Sequence, residues 1–247
     1  MNESKSPQVV VVTGVNGGLG QALARAFIDA GYRVAGIGRQ SGAADSLRNL
    51  PSDRFAYAQA DLADAGQVAA AFESIERRFG SVDILFNNAA VYPRVGFLEE
   101  GASDWAAAIA ANVNGVAFCC KAAVPIMRRQ GRGRIYSVGS FADVAPIPRS
   151  TAYAASKGAL HALVKGIAAD LQGVAGDLQV HEWIPGHMKT RMSEFTGTEP
   201  SVSAAWAVAI VQADNASKNG TIFENDREWS PPVGLKQRIL RRLGVKR

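Results

Sequence analysis

The segment Val9-Val10-Val11-Val12-Thr13-Gly14-Val15-Asn16-Gly17-Gly18-Leu19-Gly20 decides the fold of this 247-residue chain. Its run of valines predicts a strand that is buried on both faces, as in a parallel sheet. Glycines follow at once, and a helical pattern of apolar residues continues to about Ala30. Such a turn lets the backbone approach a pyrophosphate, whose charge then lies at the helix N-terminus. The segment therefore predicts a dinucleotide-binding unit.

Strand and helix patterns alternate along the rest of the chain. The predicted strands cover residues 32–38, 54–60, 83–86, 134–138, 178–184 and 220–223. The predicted helices cover residues 65–79, 103–129, 151–171 and 202–212. Pro125 predicts a bend in the longest helix, because proline removes a backbone donor. The alternation predicts one α/β domain, a doubly wound Rossmann-like parallel sheet with helices on both faces.

Composition bounds the class of protein. A hydrophobic content of 47% without a Pro/Gly/Ser-rich linker fits a single domain with a full core. No apolar run approaches the roughly 18 residues of a membrane span, and residues 1–8 form a polar leader unlike a signal peptide. Cys119 and Cys120 are adjacent in a predicted helix, where their side chains diverge. We therefore expect a cytoplasmic protein with reduced cysteines.

The formal charge of +5 is concentrated at the end of the chain. Six basic residues and no acidic residue follow residue 230, which leaves −1 for residues 1–230. We therefore expect a domain at 8–230, a basic amphipathic tail at 231–247, and no nucleic-acid partner for the domain. Apolar residues recur every four positions in the tail. This pattern predicts either a helix docked on protein or one that contacts a membrane surface.

The segment Tyr153-Ala154-Ala155-Ser156-Lys157 carries the clearest chemistry. Helical spacing brings Tyr153 and Lys157 to one face, so a phenol lies beside an ammonium. A fixed cation favours the phenolate, which predicts a lowered pKa for Tyr153 and a role as general acid and base. Ser140 follows the strand at 134–138 and is placed to donate a second hydrogen bond to the same substrate oxygen. The YxxxK pattern alone also occurs by chance in many helices.

The motifs together resemble the short-chain dehydrogenase/reductase family, in its compact form with a TGxxxGxG turn and a YxxxK motif. The resemblance covers about residues 8–230. Its segments, in the family's order, are TGVNGGLG at 13–20, Asp61-Leu62, NNAA at 87–90, Asn112, Ser140, YAASK at 153–157 and PGHMKT at 185–190. The chain departs from the family in having NNAA for the commoner NNAG, and in its sequence after Trp229.

The resemblance implies a role for each matching residue. The implied catalytic tetrad is Asn112, Ser140, Tyr153 and Lys157. In it, Ser140 and Tyr153 bind the substrate, Lys157 also holds the nicotinamide ribose, and Asn112 secures a water. The implied cofactor contacts are Gly14, Asn16, Gly18, Leu19, Gly20, Asp61, Leu62, Asn88, Ala89, Tyr153, Lys157, Pro185, Gly186, Met188 and Thr190. In the family the two long helices form a dimer or tetramer interface, so we expect a homo-oligomer.

The end of the strand at 32–38 indicates which dinucleotide binds. An acid about 20 residues beyond the glycine turn accepts hydrogen bonds from the ribose 2′-hydroxyl of NAD. Gly38 occupies this position here, and no carboxylate occurs between Gly31 and Ala44. Arg39 follows, and its guanidinium suits a 2′-phosphate. The sequence therefore predicts NADP(H) with Arg39 as a further cofactor contact, unless Arg39 merely ends the strand in solvent.

These observations predict an NADP-dependent oxidoreductase, a carbonyl reductase or alcohol dehydrogenase. The expected substrate is a small to medium, moderately apolar ketone, aldehyde or alcohol. A dinucleotide-binding regulatory or signalling protein stays an alternative, because fold does not fix function. The three histidines lack ligand spacing, so no metal site is predicted. Arg94 and Arg149 either bind a substrate carboxylate or are solvated loop residues.

Overall fold

A computed structural model describes residues 6–174, 176–213 and 217–230, so the predicted tail at 231–247 and most of the polar leader lie outside the described residues. The strands are β1 Val9–Thr13, β2 Arg33–Gly38, β3 Phe55–Gln59, β4 Ile84–Asn87, β5 Arg132–Val138, β6 Asp177–Ile184, β7 Ile222–Glu224 and β8 Arg227–Trp229. The helices are α1 Gly18–Asp29, α2 Asp45–Arg48, α3 Ala65–Phe79, α4 Ala102–Ile109, α5 Gly115–Gln130, α6 Thr151–Asp170 and α7 Pro200–Ala213.

All eight strands form one sheet in the order β3-β2-β1-β4-β5-β6-β7-β8. The pairs from β3 to β7 are parallel, and β8 returns antiparallel to β7. The predicted doubly wound α/β fold is therefore confirmed. Because strand order reverses between β1 and β4, a crevice opens at the carboxyl ends of these strands. The sequence analysis missed α2 and β8, which have four and three residues.

The core has two layers, one on each face of the sheet. The layer that includes α3, α5 and α6 takes Val9 and Val11 of β1, whereas the layer that includes α1 and α7 takes Val10 and Val12. All four valines are fully buried. The run of β-branched residues is thus buried on both faces, because a strand points alternate side chains to opposite sides.

The long helix predicted at 103–129 was expected to bend at Pro125, but its α-helical geometry is interrupted earlier in the chain. A π-helical turn at Ala110–Asn114 joins α4 to α5, while Pro125 lies inside α5. The joined helix, Ala102–Gln130, is long and apolar enough to cross a membrane by length and composition alone, so the expectation that no apolar run approaches this length was wrong. Its buried residues, such as Cys119 and Met127, pack in the core beside the sheet.

Replacing Phe86 with Ala should lower the free energy of unfolding by about 3–5 kcal/mol, because a large buried ring leaves a cavity. Phe86 is 1% exposed, and its ring centroid lies 4.9 Å from that of Tyr136 and 5.3 Å from that of Phe27. Urea unfolding measures the change. The control is Phe97→Ala, a 69% exposed ring whose removal should cost less than about 0.5 kcal/mol. Equal effects of the two substitutions would contradict this packing.

Candidate active site

The turn after β1 is fastened to the turn after β4. Gly14 has φ +64°, and a Cβ at this position would lie 2.7 Å from the Cα of Ala89. The Oγ1 of Thr13 accepts hydrogen bonds from the backbone N–H groups of Asn88 and Ala89, both at 3.0 Å. The Asn88 amide donates to the carbonyl of Thr13 at 2.8 Å. The NNAA turn therefore fixes the glycine turn at the switch point of the sheet.

The amino end of α1 fits a pyrophosphate. A Cβ at Gly20 would lie 2.7 Å from the Cα of Val15, and a Cβ at Gly18 would lie 3.1 Å from the Cγ2 of Thr190. Gly17 is the N-cap residue, and no side chain caps the helix within the described chain. The backbone N–H groups of the first turn are thus available to an anion. Thr190 brings the loop after β6 beside this helix end.

A side chain at position 38, at the end of β2, would meet a tyrosine of the neighbouring strand. A Cβ at Gly38 would lie 2.8 Å from the Oη of Tyr57, whose hydroxyl donates to the carbonyl of Gln40 at 2.7 Å. Asn16 holds the following loop, since its Oδ1 accepts from the N–H of Ala44 at 2.8 Å. The side chain of Arg39 is exposed at the end of β2. Tyr57 was not among the residues predicted from the sequence. A tyrosine in β3 next to a glycine in β2 could have indicated that the tyrosine lies over the glycine.

Other predicted cofactor contacts lie at the same edge of the sheet but differ in exposure. Asp61 is half-buried after β3, and its Oδ1 accepts from the N–H of Ala63 at 3.0 Å. Leu62 is 7% exposed and packs against Gly115 of α5. Two further predicted contacts have little exposed surface, namely Leu19 in α1 and Pro185 after β6. Gly186 and Met188 lie in the loop that follows β6.

Ser140, Tyr153 and Lys157 converge at the carboxyl end of β5. The side chain of Ser140 lies close enough to Tyr153 to lower the pKa of its phenol. The Nζ of Lys157 lies 5.5 Å from the centroid of the Tyr153 ring and donates to the carbonyl of Val138 at 2.7 Å. Lys157 is only 4% exposed. The structure therefore brings the predicted phenol, hydroxyl and ammonium to one place.

The pKa of Tyr153 differs in direction from the sequence-based expectation. Burial raises this pKa, the side chain of Ser140 lowers it, and the nearby Tyr92 raises it. Burial also lowers the pKa of Lys157 to about 8, and the charge of Glu182 opposes this change. The expected lowering by Lys157 does not occur because burial dominates and the ammonium is engaged by the Val138 carbonyl. Tyr153 is thus held as a neutral phenol at neutral pH.

Asn112 lies in the π-helical turn and is 1% exposed. Its Oδ1 accepts from the N–H of Val91 at 2.8 Å, and its Nδ2 donates to the Val91 carbonyl and to the Oγ of Ser156, both at 2.9 Å. The Ser156 hydroxyl in turn donates to the carbonyl of Tyr153 at 2.7 Å. The Asn112 side chain therefore ties the loop after β4 to the helix that carries Tyr153. Such π turns are frequent at functional sites.

An aromatic and charged stack covers Tyr153. The ring of Tyr92 stacks on that of Tyr153 with centroids 4.8 Å apart, and the guanidinium of Arg94 lies 5.3 Å from the Tyr92 centroid. Arg94 also pairs with Glu194 and donates to the carbonyl of Met192, joining the loops after β4 and β6. The Arg94 side chain is therefore one-third exposed and held between two loops, with its guanidinium on the Tyr92 ring. Arg149, in contrast, is exposed in a loop.

A glycine turn at a sheet switch point, beside a converging serine, tyrosine and lysine, is typical of Rossmann-type oxidoreductases. The family model for short chain dehydrogenase matches residues 8–200. The chain therefore belongs to the short-chain dehydrogenase/reductase family of oxidoreductases. No group of three or more His, Cys, Asp or Glu side chains that could hold a metal ion occurs in the part of the chain that the structure describes.

Several known proteins are similar to this chain. The 2-(R)-hydroxypropyl-CoM dehydrogenase of Xanthobacter autotrophicus is 31% identical over 79% of this chain and 80% of its own length. Dehydrogenase/reductase SDR family member 7B of Bos taurus is 32% identical over 97% of this chain and 71% of its own length. These similarities establish the family and leave the substrate to be inferred from the site.

Solved structures share the fold. The 3-ketoacyl-(acyl-carrier-protein) reductase from Brucella melitensis complexed with NADH superposes with a TM-score of 0.80, 22% identity, and coverage of 88% of this chain and 96% of that one. ElxO with NADP bound gives a TM-score of 0.78 and 23% identity, covering 89% of this chain and 97% of that one. Proteins of this fold thus bind either dinucleotide.

Replacing Lys157 with Met should remove a pH-dependent part of the stability of the cofactor-free protein. Lys157 has a folded pKa of about 8, against an ordinary value of 10.5. Between these values the unfolded chain binds more protons, so the wild-type free energy of unfolding should rise with pH. We expect a gain relative to Lys157→Met of roughly 2 kcal/mol between pH 7 and pH 10. Urea unfolding across this range measures the difference, and parallel curves for the two proteins would contradict the burial of a charged Lys157.

Proposed function

We propose that this protein transfers a hydride between NADP(H) and the carbonyl or hydroxyl carbon of a small to medium, moderately apolar ketone, aldehyde or alcohol. The observation that carries the proposal is the convergence of Ser140, Tyr153 and Lys157 beside a glycine turn with free backbone donors. A protein that only bound a dinucleotide would have no need of a proton-transfer group at this place. Tyr153 supplies that group in our proposal.

The chain's own residues orient the substrate and move one proton. The bound nicotinamide supplies or accepts the hydride. Ser140 and Tyr153 both direct hydroxyl groups toward one substrate oxygen, which fixes the reacting carbon. Tyr153 donates the proton on its Oη to this oxygen in reduction and takes it back in oxidation. The raised pKa of Tyr153 favours the phenol, the form that reduction requires.

Lys157 and Asn112 organise this chemistry from behind. Lys157 would hold the nicotinamide ribose and so keep the cofactor beside Tyr153. Asn112 fixes the backbone of Tyr153 through Ser156, so the phenol keeps its position during proton transfer. The water that the family resemblance assigns to Asn112 belongs to this proposal.

The cofactor preference rests on the end of β2. Position 38 is a glycine, so the ribose 2′-position meets no acid there, and a side chain at this position would first have to displace the Tyr57 hydroxyl. Arg39 is exposed next to it and can contact a 2′-phosphate. The glycine turn, Asp61, Asn88 and the loop at 185–190 would hold the rest of the dinucleotide. We therefore favour NADP(H) over NAD(H).

The loops around Tyr153 support an apolar substrate. Exposed apolar side chains project from the loop after β4 at Phe97, from the loop before α6 at Ile147, and from the loop after β6 at Phe195. Each is more than 60% exposed in the single chain. Burial of such side chains against a ligand is favourable by roughly 25 cal/mol per Å² of apolar surface.

We also infer that the protein is cytoplasmic and forms a homodimer or a homotetramer. Light scattering would measure the mass of this oligomer.

Replacing Tyr153 with Phe should lower kcat by about 10² or more while NADPH binding is retained, because only the transferred proton is lost. The measurement is NADPH oxidation with a panel of ketones, aldehydes and quinones, beside a fluorescence titration of NADPH. Tyr32→Phe, at the opposite edge of the sheet, is the matched control. Near-normal turnover by a folded Tyr153→Phe protein would refute the role of Tyr153. A wild-type protein that binds NADPH but turns over no carbonyl would support the regulatory alternative.

Replacing Arg39 with Ala should weaken NADPH binding by roughly 1.5–3 kcal/mol, the range for a hydrogen bond to a charged group, and leave NADH binding nearly unchanged. Calorimetric titration of both dinucleotides measures this. The control is Arg77→Ala, which removes an arginine side chain that is 72% exposed on α3. Equal affinity of the wild-type protein for NADH and NADPH, or an equal loss of both in the variant, would show that Arg39 does not select the cofactor.

A further inference from the structure

A carboxylate is buried inside an otherwise apolar part of β6. Glu182 is 2% exposed, between Val180 and Ile184 on the same strand. Its side chain lies over Gly139, where a Cβ would be only 2.7 Å from the Cγ and Cδ of Glu182. Burial of an ionised carboxylate is costly unless cations or donors surround it. The position therefore requires partners, and the dinucleotide and substrate contacts proposed above do not involve it.

The first partner is His161, which connects Glu182 to the surface. The Nδ1 of His161 lies 2.6 Å from the Oε2 of Glu182. His161 is one helical turn after Lys157 on α6, and its side chain is 31% exposed. The imidazole thus spans the distance between a buried carboxylate and solvent. This bond fixes the orientation of the Glu182 side chain.

The second partner is Lys157. The Val138 carbonyl that accepts from Lys157 immediately precedes Gly139, on which Glu182 lies. Glu182 raises the pKa of Lys157, although burial outweighs this and lowers it to about 8. A buried ammonium needs a nearby negative charge if it is to stay protonated. Glu182 is the acidic residue whose charge acts on Lys157 in this way.

The surroundings of Glu182 hold few other charges. On the neighbouring strands its register partners are Ser137 of β5 and Ile222 of β7, both uncharged. Two basic residues are linked to it, His161 by direct contact and Lys157 through the effect of the Glu182 charge, and both come from α6. Asp143 lies against Gly158 of the same helix, but its residue is exposed.

We propose that Glu182, held in place by His161, is a positioning residue that keeps the ammonium of Lys157 charged inside the fold. The functional part of this proposal rests on the role given to Lys157 in the proposed reaction. Glu182 touches neither substrate nor reacting atoms. It sets the upper pH at which Lys157 is still charged and can bind the nicotinamide ribose. Gly139 belongs to the same arrangement, because any side chain there would displace the carboxylate.

The test compares the titration of Lys157 with and without the Glu182 charge. Urea unfolding of the cofactor-free protein from pH 6.5 to pH 10 is measured for wild type, Lys157→Met, Glu182→Gln and the double variant. The difference within each pair isolates Lys157. We expect the pH at which this difference begins to rise to move down by about one unit in the Glu182→Gln background. An unchanged onset would overturn the proposal. Glu73→Gln, an exposed charge-matched control on α3, should leave the onset unchanged.

A second pair of variants tests His161 and covers the case in which Glu182→Gln does not fold. His161→Leu removes the contact that holds the carboxylate in place, so Glu182 should act less strongly on Lys157 and the onset should move down by a smaller amount. His161→Gln keeps a donor of similar reach and should restore the wild-type onset. If His161→Leu and His161→Gln gave the same titration of Lys157, His161 would not hold Glu182.

Kinetics provides a readout that separates this proposal from the proposed function. The alkaline limb of kcat/KM for carbonyl reduction should move down in Glu182→Gln by the same amount as the unfolding onset. A purely structural role would lower activity equally at all pH values and leave the limb in place, which would overturn the proposal. Absence of any carbonyl turnover in the wild-type protein would refute the proposed function, whereas the unfolding measurement would still decide the role of Glu182.

Discussion

The close approach of Gly14 to Ala89 holds the site together, because it joins the two strands on either side of the switch point. A residue with a Cβ at position 14 would meet both a backbone clash and an unfavourable φ of +64°. Thr13 adds the hydrogen bonds that align the NNAA turn with the glycine turn. The remaining elements build on this junction. The loop after β4 includes Val91, whose backbone binds the side chain of Asn112. Asn112 also bonds to Ser156, and Ser156 bonds to the backbone carbonyl of Tyr153.

The candidate active site places ionisable groups where burial disfavours their charged forms. Lys157 sits in a nearly dry position, so its ammonium opposes folding unless counter-charges compensate. Tyr153 is buried in the same region and keeps its proton. The apolar layers on both sides of the sheet offset the cost of burying these groups. They include stacked rings such as those of Phe86 and Tyr136. The proposed catalytic residues thus depend on the apolar core for the stability of the fold around them.

The periodicity and the motif spacing of the sequence predicted the fold class and the longer helices and strands. The bounds of α3 agreed to the residue, and the fold class followed from alternation. Short elements such as β8 were missed because three residues carry no period, and the π turn was missed because one extra residue in a helix leaves no mark in composition. The direction of the Tyr153 pKa was wrong because spacing reveals a neighbour but not its burial. Glu182 was missed because its partner His161 was weighed only as a metal ligand.

The contact between Gly38 and Tyr57 constrains how cofactor use can change over evolutionary time. A single exchange of Gly38 for an acid would place new atoms against the Tyr57 hydroxyl, which is itself bonded to Gln40. The tyrosine must therefore shrink or move before an acid is accommodated. Descendants of this sequence that acquire an acid at 38 should carry a smaller residue at 57, fixed earlier. The residues at positions 38 and 57, on adjacent strands, thereby constrain each other.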